Sequence, residues 1–453
     1  MFNTNIETFR DEIMLVIRSF DCEEEEFTHY FSCSGGKFLN SIEFAGKFYD
    51  FEEEYKAEND IVFKRLAKRS VKLAFYKVLS KVKNIDLPWG ALTGIRPTKL
   101  AYTEISSGGD FEKLFENMCV SQENTALVKK ILEVQRGVYK KGGQDLYISL
   151  PFCPTKCEYC SFITAPIEKT RKYVDEYINC VVKELYSVKP LIKDLRSIYI
   201  GGGTPFVLEN DKLTPIYAAV NDIFNGKAEF TVEAGRPDVF TEEKLKLAKE
   251  YGVGRICVNP QSFNDLTLEK IGRKHTAAQT LAAYENARKY GFDINIDLIA
   301  GLADETPKDF EYSLDKAISL NPANITVHTL SLKAGAKLKE NTKKLNVAGI
   351  SDMIAVSREK LTKASYEPYY LYRQKYQAGG LENVGWAKAG KACVYNIDVM
   401  EEISDNIAVG ANAISKCYFG DEDRIERYAS PKDIPSYIAK TEEIIEKRLK
   451  LFE

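Results

Sequence analysis

Tyr147-Ile-Ser-Leu-Pro-Phe-Cys153-Pro-Thr-Lys-Cys157-Glu-Tyr-Cys160 is an apolar run of strand type that ends at three closely spaced thiols. Three thiolates spaced C-x-x-x-C-x-x-C on one loop can each hold one iron of a four-iron, four-sulfur cube, leaving the fourth iron without a protein ligand. An iron with an open coordination position is a chemical site. The competing reading is a zinc knuckle, which takes its remaining ligand from a second Cys or His pair. The sequence shows no such pair: Cys180 stands alone on a helical stretch, and His275 and His328 are distant and isolated. The spacing therefore favours the cluster.

From residue 145 to about 330, short apolar runs alternate with amphipathic stretches. The runs are Leu146 to Leu150, Ile198 to Ile200, Glu229 to Glu233, Arg255 to Val258, Ile294 to Ile299 and Ile325 to Leu330. The stretches between them have helix-start signals: Thr241 before Glu242 and Glu243, Thr276 with Gln279 as a capping box, and Thr306 before Pro307. Six repeats of strand then helix predict an α/β fold, a parallel sheet with right-handed crossovers, and six units rather than eight predict a partial (β/α)6 barrel. In such barrels chemistry collects at the carboxyl ends of the strands. The thiol triad follows the first strand, Gly201-Gly202-Gly203-Thr204-Pro205 the second, Glu233 ends the third, Gln261 and then Arg273 follow the fourth, and Asp297 lies on the fifth. Singly each is an ordinary turn, cap or core residue; gathered at one rim they read as a site.

The flanks are less specific. Residues 1–85 read as a small α+β domain of unassigned role: two strands within Lys37 to Phe51 joined near Ala45-Gly46-Lys47, and an amphipathic helix over Ile61 to Val82. The Lys- and Arg-rich face of that helix, including Lys68, Arg69 and Lys72, reads as a solvated face, with an anionic partner as the alternative. Pro88-Trp89-Gly90 and Thr93-Gly94-Ile95-Arg96-Pro97 place a linker and helical segment over 86–144, with a helix from Glu123 to Lys140. The barrel is expected over 145–345, and 346–453 as a C-terminal α+β extension covering its mouth. In that extension Val394 to Met400 and Ile407 to Val409 read as strands, Gly410 to Ser415 as a tight loop, and the tail from Pro431 as a helix.

The chain has 453 residues, 44% of them apolar, enough for two or three domains with large cores. Its 63 Lys and Arg against 66 Asp and Glu argue against a general nucleic-acid binder. The start lacks a secretion-signal pattern and no apolar stretch reaches membrane-spanning length, so the expected location is the cytoplasm. Clustered metal-binding thiols also need a reducing compartment.

With its aromatic residue before the last Cys, the triad resembles the radical S-adenosylmethionine (SAM) superfamily. Tyr147 to Cys153, GGGTP at 201–205, Thr231-Val-Glu233-Ala, Gln261-Ser-Phe, Ile271-Gly-Arg273-Lys-His-Thr and Asn295-Ile-Asp297-Leu-Ile together resemble the oxygen-independent coproporphyrinogen III dehydrogenase family. TGIRPTKL at 93–100, EAGRPD at 233–238 and YYLYRQK at 369–375 are similar to its HemZ-type branch. The resemblance implies a [4Fe-4S] cluster on Cys153, Cys157 and Cys160. It implies SAM contacts at Tyr147, Tyr159, Gly202, Gly203, Thr204, Glu233, Gln261, Arg273 and Asp297. It also implies a tetrapyrrole substrate and a reductant such as flavodoxin or ferredoxin. The reaction it implies is conversion of two propionates of coproporphyrinogen III to vinyl groups through a SAM-derived 5′-deoxyadenosyl radical. A substrate with four carboxylates calls for cationic partners, and Arg236, Arg373 and Lys375 are the candidates. The tyrosines of Ser365 to Tyr376 either flank the tetrapyrrole or pack an edge strand.

Two positions depart from the decarboxylating enzymes. Phe162 stands where they carry a fourth Cys, and Ser149 where they carry His. Related proteins that bind and deliver haem likewise show Phe at the first. A haem-binding chaperone, and an anaerobic haem-opening methyltransferase of related sequence, are therefore the alternative functions.

Overall fold

The computed structural model describes residues 2–160, 165–331, 347–374, 380–420 and 424–453. The chain divides into two compact units, 1–129 with 372–382 and 130–371 with 383–453.

In the first unit β1 (Phe2–Thr4) pairs parallel to β2 (Phe27–Ser34), and β2, β3 (Lys37–Phe44) and β4 (Lys47–Glu54) form an antiparallel meander. The last hairpin turns at Ala45-Gly46, as expected. Alternate residues Phe27, Phe31, Phe38, Ile42 and Phe44 are buried, which is the period-two pattern of a sheet with one covered face. Helix α1 (Arg10–Ser19) buries Ile13, Val16 and Ile17 at helical spacing. Helix α2 (Asp60–Lys83) starts at Asn59, whose side chain accepts from the Val62 N–H. Helix α3 (Pro97–Ser106) starts with proline at its first position. The contact boundary at 129/130 lies beyond the turns near residue 90. The reason is that this stretch is tied into the first unit: Ala91 N–H donates to Met118 O at 2.8 Å, and the Trp89 indole N–H donates to Glu382 at 2.8 Å.

The second unit holds the expected six parallel strands: β5 (Gln144–Leu150), β6 (Leu195–Gly202), β7 (Glu229–Gly235), β8 (Arg255–Gln261), β9 (Asp293–Ala300) and β10 (Asn324–Thr329). A helix follows each strand; the first is α4 (Val174–Val188). The capping box at Thr276 and Gln279 forms, and Thr306 caps its helix with Pro307 at the first position. β11 (Glu367–Arg373), β12 (Glu382–Ala387), β13 (Asp405–Val409), β14 (Ile414–Phe419) and β15 (Arg424–Ala429) complete an eleven-stranded sheet in the order β11-β12-β10-β9-β8-β7-β6-β5-β13-β14-β15. The sheet stays open, so the chain forms a partial barrel. β13 pairs parallel to β5 and so places the C-terminal segment beside the strand that leads to the triad.

Val394 to Met400, expected as a strand, is a helix, α5 (Val394–Glu401). Its β-branched content is overruled by a tertiary cap, since the Glu229 carboxylate accepts from the Val394 N–H at 2.9 Å. Gly410 to Ser415 turns from β13 into β14, a strand-to-strand turn. The tail forms two helices, Ile434–Ala439 and α6 (Thr441–Leu451). Among the described residues no helix is long and apolar enough to cross a membrane.

Candidate functional site

The register of β5 with β6 sets Leu150 opposite Gly202, so the GGGTP loop lies against the start of the thiol loop. Thr204 N–H donates to Phe152 O at 2.7 Å, and a Cβ on Gly203 would stand 2.5 Å from that carbonyl, so only glycine permits this approach. Cys153 is buried with its Sγ 3.5 Å from Thr204 Oγ1. Cys160 N–H closes a turn onto Cys157 O at 3.1 Å. Burial pushes the Cys153 thiol up to about 11, eased by Thr204 but reinforced by the neighbouring sulfurs of Cys160 and Cys157. The three thiols therefore share one electrostatic environment, and loading them with metal must release protons. Among the described residues no three Cys, His, Asp or Glu converge on a single ion. A cube asks for something else, each thiolate on its own iron.

Neighbouring strands brace the thiol loop. Glu158 N–H donates to Ile271 O at 3.1 Å, and the Arg273 Nε–H donates to the Tyr159 hydroxyl at 3.1 Å while its Nη1 reaches Asn259 O. The Tyr159 ring packs against Leu268, Ile271, Ile299, Leu302 and Leu330. Arg236 forms a bidentate pair with Asp238 at 2.9 and 2.6 Å and donates to Thr155 Oγ1, inside the thiol loop, at 2.5 Å. Its side chain is 3% exposed. Three of its five N–H donors thus go to Asp238 and to the loop.

Inside the barrel, Tyr147 and Tyr199 stack at 6.3 Å and Tyr199 and Tyr395 at 4.5 Å. Glu233 stands beside them with its carboxylate accepting from the Gly202 N–H, and a Cβ on Gly201 would come within 2.8 Å of it. Burial, with Asp297 adding like charge, pushes the Glu233 carboxyl up to about 8. Burial opposes the Asp297 charge too, but the His328 ring 3.7 Å away and the Asn295 amide, which donates at 2.7 Å, outweigh it and hold that carboxyl below its usual value. The interior thus pushes one carboxyl up and holds its neighbour down. Gln261 adopts φ +70° at the end of β8, and among the described residues its buried Oε1 has no hydrogen-bond partner, nor has the buried Asn259 Oδ1. Orphaned acceptors beside a strained backbone mark places where a ligand supplies the missing donors. Paired thiol environment, glycine cradle, raised carboxyl and orphaned amide oxygens together fit a cluster with a polar cofactor beside it.

The Glu233 shift sets a pH prediction for the metal-free protein. A folded-state value above the unfolded one means that its stabilising contribution is complete below the ordinary carboxylate range and falls away as pH rises toward 8. Thermal unfolding followed across that window should show a shallower decline for Glu233→Gln than for the native chain; parallel slopes would dismiss this account.

Of the remaining candidates, Arg373 belongs to the first unit. Its guanidinium donates to Gly380 O at 2.6 Å and to Leu92 O, and lies 5.2 Å over the Trp89 ring, so neutral carbonyls and an aromatic face take it up. Lys375 and Phe162 lie outside the described residues. Tyr366, Tyr369 and Tyr370 are buried, and the Tyr366 hydroxyl donates to Pro322 O at 2.7 Å, which is edge-strand packing. Sequence reasoning missed Tyr395, which comes from a helix read as a strand, and the hold of the C-terminal turn on Ser149. There the Ser149 hydroxyl donates to Ala411 O at 2.8 Å, and the Tyr177 hydroxyl bridges Ser149 O and Ala411 N–H at 2.7 and 2.9 Å. Gly410, at φ +98°, approaches so closely that a Cβ would lie 2.5 Å from Ser149 O.

Residues 147–317 match the radical SAM superfamily model. The chain is 36% identical over 407 residues to the oxygen-independent coproporphyrinogen-III oxidase-like protein HemZ of Bacillus subtilis, covering 85% of this chain and 81% of that protein. It is 39% identical to the heme chaperone HemW of Bacillus subtilis over 193 residues, 41% of this chain and 50% of that one. Its fold is similar to that of coproporphyrinogen III oxidase (HemN) from Escherichia coli, with a TM-score of 0.55 and 22% identity over 69% of this chain and 72% of that one. The chain belongs to the radical SAM superfamily and, within it, to the HemZ-type coproporphyrinogen-III oxidase-like proteins, whose cofactors are a [4Fe-4S] cluster and SAM.

Proposed function

We propose that this protein is a radical SAM oxidoreductase of cytoplasmic porphyrin metabolism that decarboxylates coproporphyrinogen III to protoporphyrinogen IX without oxygen. The observation that carries this reading is the extent of likeness: it runs through 85% of the chain with the oxidase-like HemZ, against 41% with the heme chaperone of Bacillus subtilis and 64% with that of Haemophilus influenzae. In this reading Cys153, Cys157 and Cys160 hold the cluster. Tyr147, Tyr159, Gly202, Gly203, Thr204, Glu233, Gln261, Arg273 and Asp297 hold SAM. When bound, cluster and SAM supply a 5′-deoxyadenosyl radical for hydrogen abstraction.

The chain's own residues do the rest. Arg236 and Arg273 hold the thiol loop from two sides, through Thr155 and Tyr159. Glu233, its carboxyl pushed up by burial, accepts from the Gly202 N–H and offers its oxygens to ribose hydroxyls. Each reacting propionate gives up a hydrogen atom, one electron to a one-electron acceptor, and carbon dioxide, and becomes a vinyl group. A flavodoxin- or ferredoxin-type reductant supplies the starting electron.

The second reading, a haem chaperone on the same scaffold, draws on the 39% identity to the Bacillus subtilis HemW and on Phe162. Reduced protein, SAM and coproporphyrinogen III incubated without oxygen should yield protoporphyrinogen IX, with carbon dioxide and 5′-deoxyadenosine in matching amounts by mass spectrometry. Stoichiometric haem binding with no decarboxylated product would favour the chaperone, and a linear tetrapyrrole made from haem would point to the ring-opening methyltransferase.

A further inference from the structure

On α2, Arg65, Lys68, Arg69 and Lys72 are spaced so that they share one face, at intervals where a covered helix usually carries apolar residues. The sequence reads this as a solvated face, but the structure covers its C-terminal half. Lys68, 40% exposed at its side chain, pairs with Glu12 at 2.5 Å. Arg69 is 16% exposed and its nearest carboxylate, Glu104, stands off at 3.9 Å. Lys72 is 9% exposed, and its Nζ donates to the neutral Thr93 hydroxyl at 3.2 Å. Among the described residues no carboxylate forms an ion pair with it. Arg373 adds a further positive charge from the other side while fixing the 92–95 turn: its N–H donates to Ile95 O at 2.7 Å and its guanidinium to Leu92 O.

A cation held out of water beside like charges costs free energy unless an anion meets it. Burial, helped by Lys68, Arg69 and Arg373 and opposed by the Glu12 carboxylate, pushes the Lys72 ammonium down to about 8. The turn above Lys72 is open, because Thr93 is half-buried, Gly94 and Ile95 are exposed, and a Cβ on Gly94 would meet only Leu92 Cδ1 at 4.0 Å.

We propose that the first unit carries an oxyanion-binding site, for the carboxylate or phosphate group of a small metabolite, formed by Lys72 and Arg69 of α2 and the Thr93 hydroxyl. The ammonium, the guanidinium fork and the hydroxyl are the donor set such a group accepts from, and carboxylate and phosphate share that chemistry. Arg373 is a positioning residue that holds the turn and raises the local potential. This site stands apart from the reaction proposed above and does not depend on it.

The chain has two tryptophans, so Trp386→Phe leaves Trp89, stacked under Arg373, as the sole reporter in the full-length protein. Inorganic phosphate, citrate and chloride are titrated at constant ionic strength while Trp89 emission is followed. A saturable response to phosphate, to citrate or to both, beyond chloride, is expected, and the stronger of the two arms identifies the group. Lys72→Met should weaken it about tenfold or more, the loss of one charge-assisted hydrogen bond. The same substitution should leave the anion-free melting temperature unchanged or raised, since it removes a buried charge crowded by Lys68, Arg69 and Arg373. Arg69→Gln should weaken binding without unfolding. Phosphate and citrate indistinguishable from chloride, or a response that both variants retain in full, overturns the site.

Discussion

Replacing Cys153, Cys157 or Cys160 by Ala, one at a time, should give a folded protein that cannot keep its cluster. Iron and sulfide should fall to trace levels after anaerobic reconstitution, and SAM cleavage to 5′-deoxyadenosine should drop to background. Folding should survive because all three sulfurs are free thiols on a loop braced by backbone hydrogen bonds from Glu158 to Ile271 and from Thr204 to Phe152, and by Arg236 through Thr155. Removing one thiolate takes away an iron ligand without opening a large cavity. Iron analysis beside a circular dichroism melt separates the two effects. A single variant that retained full iron and sulfide would mean that the triad is not the ligand set.

The largest loss of stability should come from Arg448→Met on α6. Arg448 and Glu184 of α4 form an ion pair in which both side chains are 0% exposed. Glu184 also accepts from the Tyr437 hydroxyl and from Gly410 N–H at 3.2 Å, while Arg448 reaches Ser415 and Ser430, each at 3.3 Å. Breaking a buried pair from one side leaves a charge stranded and costs about 3–5 kcal/mol, whereas replacing both partners is nearly neutral. Denaturant unfolding of the second unit, followed by Trp386 in a Trp89→Phe background, should therefore show a large loss for Arg448→Met and substantial recovery in the Glu184→Gln, Arg448→Met double variant. Equal losses in single and double variants would mean that packing, not charge, sets the effect. Because Glu184 holds Gly410 and the same turn holds Ser149 through Tyr177, the single variant should also loosen the strand that leads into the thiol loop.

The placement of much of the candidate site was legible because strand ends announce themselves locally. The triad, the glycine triplet, Glu233, Gln261 and Asp297 each sit at or just beyond an apolar run of strand length. The parallel topology then gathers the ends of such runs at one rim, whatever lies between them. The partners of the candidate cations were not legible. Arg236 and Arg373 have the right chemistry in the right stretches, but nothing local tells that Asp238 and Thr155 claim one and the carbonyls of Leu92 and Gly380 the other. For Val394 to Met400, local β-propensity pointed one way and a distant carboxylate, Glu229, decided the other.

By itself the sequence determined the six-unit partial barrel, the thiol triad at its first strand and the family to which these belong, because period, cap and ligand spacing are all short-range signals. Tertiary structure alone decided which charges are buried and what meets them: the raised Glu233 carboxyl beside the lowered Asp297, the Glu184–Arg448 pair under the Gly410 turn, and the buried Lys72 donating to a hydroxyl. The reason is that the cost of a charge depends on its distance from water and from its counter-charge, and both are set by residues far away in the chain.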